Sequence, residues 1–160
     1  MRKYRILEVA RVIPVLAVVA FWIVSCSQNR VSKTPFEEVR QAVADVVVMD
    51  AMQEGDDAVF RRLYGLDPAN YDGVYLLWPL SNMDAEEVLL VRLKDPGDAD
   101  AVLQAIDARI ATQKKSFDGY GVQQFDLLEN HCVVEARGND ILFAVGANAD
   151  VLRQAFLGAL

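Results

Sequence analysis

Histidine and cysteine are nearly absent from this chain of 160 residues, which contains His131, Cys26 and Cys132 and no other residue of either type. A Cys/His nucleophile or a zinc site needs several such side chains that converge on one point. His131 and Cys132 are neighbours on a predicted strand, where adjacent side chains point to opposite faces of the sheet. We therefore expect both residues to serve packing rather than catalysis or metal binding.

Motifs for cofactors are also lacking, since the sequence has no glycine-rich phosphate loop, no serine-centred nucleophile elbow and no zinc motif. Asp95-Pro-Gly-Asp98-x-Asp100 is similar to a fragment of a calcium loop, but it lacks the glycine and the terminal glutamate that such a loop requires. Helix capping accounts better for these aspartates. The sequence thus predicts no cofactor and no metal site.

Basic residues are scarce outside the N-terminal segment. Of the 16 Lys and Arg and 23 Asp and Glu residues, four basic residues and one acidic residue lie in positions 1–25, so the remainder carries 12 basic and 22 acidic groups. A nucleic-acid-binding protein needs a basic stripe for the phosphates, and none is present. The hydrophobic content of 53% is enough for one domain with a substantial core.

The longest apolar run, Val12 to Val24, is short for a membrane-spanning helix. Its 13 uncharged residues fall below the roughly 18 to 20 that such a helix needs. Basic residues precede the run, which is typical of a signal peptide. We therefore interpret residues 1–25 as a lipoprotein-type signal peptide or membrane anchor, residues 26–34 as a short polar tether and residues 35–160 as a single domain.

Ile23-Val24-Ser25-Cys26, at the end of this run, resembles the bacterial lipobox. In that family of signals the cysteine thiol receives a diacylglycerol and becomes the new N-terminus, so Cys26 is the predicted lipidation site. Two alternatives remain open, an uncleaved anchor and ordinary cleavage, and a Cys26–Cys132 disulfide would require that Cys26 is not acylated. Lipidation and the uncleaved anchor both place the domain on the outer face of the cytoplasmic membrane, attached to the bilayer.

The stretch from Asp98 to Gln124 contains the clearest helix. Its apolar side chains share one arc of the helical wheel, Asp98 is a candidate N-cap, and Lys114 and Lys115 suit the negative end of the helix dipole before Gly119 ends the run. The residues of this arc are Val102, Leu103, Ile106, Ile110 and Phe117.

Around this helix the sequence predicts alternating groups of strands and helices. Apolar runs at 74–78 and 88–93 indicate one antiparallel strand pair, and 131–137 with 140–146 indicate a second across Gly138-Asn139. Helices are predicted from a Thr34 cap through Asp50, over 58–64 with Gly65 as its C-cap, and over 149–157, while 124–128 fits helix or loop. This order favours an α+β fold with an antiparallel sheet of about four strands covered by helices on one face.

Three polar residues interrupt apolar helix arcs. Asp50 falls in the arc of the first helix, and Arg109 and Gln113 lie in or beside the arc of the central one. A buried charge is costly unless it is paired, so we hypothesise a cluster in which Arg109 lies near Asp50 and Gln113 bonds the backbone of the Gly119–Gly121 turn. The alternative is that Asp50 or Arg109 reaches solvent at the edge of its arc.

Aromatic residues suggest a possible ligand class, because flat rings stack on sugars and acidic neighbours accept hydroxyl hydrogens. Tyr71, Tyr75, Trp78 and Tyr120 are the candidates for such a surface. Core and sheet packing is the competing interpretation of all four.

Several short motifs together resemble the bacterial family called domain of unknown function 4358. They are Tyr64-Gly65-Leu66, Met83 with Glu86-Glu87, Arg109-x3-Gln113-x3-Phe117-x-Gly119-Tyr120-Gly121 with Gln124, and Arg137-Gly138-Asn139. The resemblance covers about Phe36 to Phe156, and Cys132 departs from the apolar residue expected there. It implies a small protein behind a lipobox or membrane anchor, in a setting beside membrane-bound O-acyltransferase systems that modify surface polymers. It assigns no catalytic residues.

These observations predict a non-enzymatic, membrane-tethered binding or scaffolding module of the cell envelope. Its expected partners are the membrane, through the lipid anchor, and an envelope protein or polysaccharide. The alternative is a hydrolase of envelope glycan, which would require two carboxylates roughly 5 to 10 Å apart across an open cleft.

Overall fold

The computed structural model describes residues 31–160. The predicted signal segment and Cys26 lie outside the described residues. None of the helices between residues 31 and 160 is long and apolar enough to cross a membrane.

Five strands and five helices make up this part of the chain. The strands are β1 (Met52–Glu54), β2 (Tyr71–Pro79), β3 (Glu87–Leu93), β4 (Cys132–Arg137) and β5 (Asp140–Val145), and the helices are α1 (Phe36–Ala44), α2 (Asp57–Tyr64), α3 (Ala99–Phe117), α4 (Val122–Asn130) and α5 (Ala149–Ala159).

The strands form one antiparallel sheet in the order β1-β2-β3-β5-β4. Val91 at the centre of β3 pairs with Val74 of β2 and Ile141 of β5. The two predicted strand pairs therefore exist, and they join side by side through β3 and β5. The predicted α+β class is confirmed, with β1 as a fifth, edge strand that its three residues were too short to indicate.

Helices cover both faces of the sheet, not one face as the sequence predicted. On the first face, α2, α3 and α4 pack on a core that includes Leu89 and Phe143, and on the second face, α1 and α5 pack on a core that includes Leu90 and Leu142. Every residue of β3 and β5 is buried. Strands that are apolar on both sides need cover on both sides, which explains the division of the helices.

The first helix is shorter than predicted. It ends at Ala44 rather than at Asp50, and a short 3₁₀ segment, Met49–Ala51, leads into β1. Its N-cap position is held by Pro35 and has no side-chain hydrogen bond, so the predicted Thr34 cap was wrong. The β-branched run Val46-Val47-Val48 lies in the segment that leaves the helix, consistent with the rotamer freedom such residues lose in helices.

A buried ion pair on the second face holds the start of the domain. Arg92 of β3 donates from Nε and Nη2 to the two carboxylate oxygens of Asp140, at 2.8 and 2.9 Å, and from Nη1 to the Thr34 carbonyl at 2.7 Å. The backbone N–H of Ser32 donates to Oδ1 of Asn139 at 3.0 Å. The chain that leads into α1 is therefore bonded to the end of β3 and the turn before β5.

Candidate functional site

Glu87, the first residue of β3, is fully buried and is the centre of a polar cluster on the first face of the sheet. Arg109 of α3 donates to its Oε2 from Nη2 at 2.6 Å and from Nε at 3.1 Å. Nε2 of Gln113 donates to the same oxygen at 3.1 Å, and the hydroxyl of Tyr64 donates to Oε1. We call Tyr64, Glu87, Arg109 and Gln113 the Glu87 cluster.

Local sequence explains how these side chains meet. Arg109, Gln113 and Phe117 are spaced four residues apart, so they form one stripe along α3 that faces the sheet. Tyr64 is the last residue of α2, and Gly65 ends that helix in the left-handed conformation, with φ of 68°, as predicted. Glu87 shares a sheet face with Leu89, two residues further along β3.

Burial and charge set the protonation states in the cluster. Burial and the neighbouring Glu87 carboxylate raise the pKa of Tyr64 well above its usual value, so its hydroxyl stays neutral and donates. Burial opposes the charge on Arg109, but the hydrogen bond and the charge of Glu87 outweigh it, and the pKa of Arg109 is raised. Arg109 is thus charged and hydrogen-bonded to Glu87, as a buried charge requires.

The predicted pairing of Arg109 with Asp50 is wrong. Asp50 is exposed and lines a separate cavity of about 220 Å³, on the second face of the sheet. The physical reason is that Asp50 lies in the 3₁₀ segment before β1, on the second face of the sheet, whereas α3 packs on the first face. Gln113 likewise bonds Glu87 rather than the Gly119–Gly121 backbone. The structure brings Arg109 and Gln113 together on Glu87, a partner that neither predicted pairing included.

The Gly-Tyr-Gly turn after α3 needs both of its glycines. Gly119 has φ of 83°, which side chains rarely adopt, and a Cβ on Gly121 would lie 2.6 Å from a ring carbon of Phe117. The amide of Gly121 donates to the Phe117 carbonyl at 2.9 Å. The turn therefore lies directly on the end of the Arg109-Gln113-Phe117 stripe.

Gln124 of α4 connects this turn to the start of β3. Its Oε1 accepts a hydrogen bond of 2.8 Å from the amide of Ala85, two residues before Glu87. The motif residues on which the family resemblance depends are thus largely grouped around the Glu87 cluster.

An open cavity of about 500 Å³ lies beside the cluster. Arg109 and Gln113 contribute to its wall, and Arg62, Trp78, Asp84 and Ser116 are among the other lining residues. The guanidinium carbon of Arg62 lies 5.1 Å from the centre of the Trp78 ring. Oε1 of Gln113 is buried and accepts no hydrogen bond from the described residues. This cavity is the candidate functional site.

The four aromatic candidates do not form one surface. Trp78 lines the cavity, and the exposed Tyr120 ring lies 6.3 Å from that of Phe117. Tyr71 packs on Phe60 in the first core, whereas Tyr75 is buried in the second core. For Tyr71 and Tyr75 the packing interpretation is therefore correct.

The remaining candidates from the sequence have structural explanations. His131 is exposed, and Cys132 is partly buried against the first core, where burial raises the pKa of its thiol. Residues 31–160 contain no group of three or more His, Cys, Asp or Glu side chains that could hold a metal ion. The Asp95 carboxylate accepts from the Gly97 amide at 2.8 Å and so caps a short 3₁₀ turn, whereas Asp98 occupies the N-cap position of α3 without a side-chain bond.

Tyr64 gives the cluster a testable dependence on alkaline pH. Above pH 10 the unfolded chain loses the Tyr64 proton while the folded protein keeps it, so the free energy of unfolding should fall as pH rises. The contribution of this residue approaches about 1.4 kcal/mol per pH unit. Urea unfolding between pH 9 and pH 11.5 should show a steeper decline for the wild type than for Tyr64→Phe. Equal slopes would contradict the raised pKa.

Comparison with known proteins identifies the family but gives no characterised relative. No curated protein and no solved structure matches the chain. The family model described as Domain of unknown function (DUF4358) matches residues 45–146, a range that contains all four residues of the Glu87 cluster. The chain therefore belongs to the DUF4358 family.

Proposed function

We propose that this protein is a membrane-tethered binding module of the cell envelope, attached to the outer face of the cytoplasmic membrane by a lipid on Cys26. In this proposal the cavity beside the Glu87 cluster receives an envelope component. The lipobox-like segment Ile23–Cys26 supports the attachment, and the tether that follows is short. A tether of this kind would keep the cavity close to the bilayer surface.

The observation that carries the binding role is the way the cluster fixes the wall of the cavity. Arg109 and Gln113 both donate to the fully buried Glu87 carboxylate, so neither side chain can change rotamer without breaking a hydrogen bond to that buried group. A wall held in this way is preorganised, and a ligand would lose little of its binding energy in ordering it.

The same geometry favours binding over glycan hydrolysis. Hydrolysis needs two carboxylates that face each other across the site. Within residues 31–160, Asp84 is the one carboxylate in the cavity lining, and the Glu87 carboxylate is occupied by Tyr64, Arg109 and Gln113.

Site-specific photocrosslinking in cells would test the proposal. A benzophenone amino acid at Ser116, which is exposed and lines the cavity, should give a discrete adduct, whereas the same residue at the exposed Asp150 of α5 should not. Mass spectrometry should find a diacylglyceryl group on Cys26, and Cys26→Ala should lose both the lipid and most of the adduct.

Two results would overturn the proposal. Matching adduct patterns from positions 116 and 150, or no adduct from either, would reject the cavity as a binding site. An unmodified mature N-terminus downstream of Cys26 would reject the lipid tether.

A further inference from the structure

The polar groups of the cavity define the ligand that would suit it, and this inference rests on the proposed function as a binding module. We propose that the cavity binds an uncharged carbohydrate, with one sugar ring placed against Trp78 and a hydroxyl group donating to Oε1 of Gln113.

Gln113 fixes the first requirement. Its Nε2 donates to Glu87, and because a carboxylate can only accept hydrogen bonds, the amide cannot flip. Oε1 is therefore the acceptor that this amide leaves without a partner among the described residues, on a side chain that lines the cavity and is 5% exposed. A buried acceptor without a partner is unfavourable, so the ligand group opposite it must be a donor.

The other lining residues supply both donors and acceptors. Asp84 adds a second acceptor, as does the Ser116 oxygen, whose hydrogen is donated to the Thr112 carbonyl at 2.9 Å, while Arg62 and Asn82 offer donors. A ligand that matches this set has to donate and accept hydrogen bonds in similar measure. Hydroxyl groups do both, whereas at neutral pH a carboxylate only accepts and a phosphate group mainly accepts.

Apolar surface completes the match. Trp78, Pro79 and Phe117 line the same cavity, and the indole of Trp78 is partly exposed there. A sugar ring presents C–H groups on its faces and hydroxyls at its edge, so it can contact the indole and the polar groups at once. The volume of about 500 Å³ lies within the range of small-molecule sites, roughly 300 to 1,000 Å³.

Charge disfavours an anionic ligand. The Arg109 charge is neutralised by Glu87, at 2.6 Å, so Arg62 is left as the cation of the lining, with the Asp84 carboxylate also in the wall. Purely apolar ligands fit poorly for a different reason, because they would leave Gln113 Oε1 unpaired.

Tryptophan fluorescence can test the proposal on the mature, lipidated protein. The sequence contains two tryptophans, and Trp22 lies in the segment that is removed when Cys26 becomes the N-terminus, so Trp78 is the sole reporter. The protein, purified in a detergent without a sugar headgroup, is titrated with chitotriose, cellotriose and mannotriose, and separately with inorganic phosphate. At least one trisaccharide should cause a saturable change in emission, and phosphate should not.

Three substitutions then locate the binding. Gln113→Met and Arg62→Ala should each weaken binding of the responding trisaccharide about threefold or more, since each removes hydrogen bonds. Arg40→Ala is the matched control, because the Arg40 guanidinium lies over Tyr75 on the second face at a similar distance, 5.2 Å. Circular dichroism establishes whether each variant folds. If Gln113→Met does not fold, Arg62→Ala, at an exposed position, still tests the site.

The proposal is overturned if none of the three trisaccharides changes the emission, if phosphate alone does, or if Arg40→Ala weakens binding as much as Arg62→Ala. A specific adduct from position 116 without any response to sugars would reject the carbohydrate and leave the proposed binding module standing. Loss of that adduct would reject the module itself.

Discussion

Replacing Arg109 with alanine should lower the free energy of unfolding by about 3 to 5 kcal/mol, because the change leaves the Glu87 carboxylate buried without its cation. Glu87 is fully buried, and Arg109 donates to its Oε2 from Nη2 at 2.6 Å. Gln113 and Tyr64 would still donate, but neither brings a positive charge. Urea or thermal unfolding of the purified variant measures the loss.

A double substitution distinguishes two contributions to the lost free energy of unfolding, the unpaired charge of Glu87 and the lost packing of the Arg109 side chain. Glu87→Leu with Arg109→Met replaces both charges by apolar groups and should cost much less than Arg109→Ala alone. Arg40→Ala removes an exposed ion pair with Glu37 and should cost less than about 1 kcal/mol. Additive effects at Glu87 and Arg109, or a loss at Arg109 no larger than that at Arg40, would contradict the buried pair.

Arg92→Ala, which breaks the buried ion pair on the second face, should also lower the free energy of unfolding by about 3 to 5 kcal/mol. Its side chain makes two bonds to the fully buried Asp140 and one to the Thr34 carbonyl. Removing it should also release the chain before α1. Hydrogen exchange should therefore accelerate at residues 31–36 in this variant, but not in Arg109→Ala.

The loss of free energy of unfolding caused by Arg92→Ala should be smaller at low pH. Burial raises the pKa of Asp140, and the bond to Arg92 opposes that rise, so the pKa should be higher still in the variant. A carboxyl group with a raised folded-state pKa contributes stability below its unfolded pKa, near 4, and loses it as pH rises through the folded value. The difference from wild type should thus be smaller at pH 4 than at pH 7, and a constant difference would contradict this account.

The spacing of apolar residues in the sequence was sufficient to predict those helices and strands that bury one apolar stripe or one apolar run. The arc of Val102, Ile106 and Phe117 predicted α3, and the runs at 74–78 and 88–93 predicted β2 and β3. Gly65 marked the end of α2 through its tolerance of positive φ. These signals are local, so they do not depend on where an element packs.

The sequence could not show which sheet face each helix covers, because an amphipathic arc is the same on either face. That gap produced the wrong partner for Arg109, since Asp50 and Arg109 were assumed to share a face. The apolar run begins at Val88, so it does not predict Glu87 as part of the strand. Two features of the sequence do point to Glu87. It lies two residues before Leu89, so the two share a face of the strand, and Glu86-Glu87 is among the motif residues. The cavity was beyond prediction, since its lining comes from three separate parts of the chain.

Strand β3 has a property that follows from the placement of its two charges. Between Glu87 and Arg92 it is apolar and buried throughout, so its hydrophobic pattern alone does not specify how it aligns with β2 and β5. Glu87 points to the first face and Arg92 to the second, and each has its partner on a different element, Arg109 on α3 and Asp140 on β5. A slip by one residue would turn both charges toward the wrong layer, and a slip by two would separate both pairs at once. The charged ends therefore select one alignment of a strand whose middle would tolerate several.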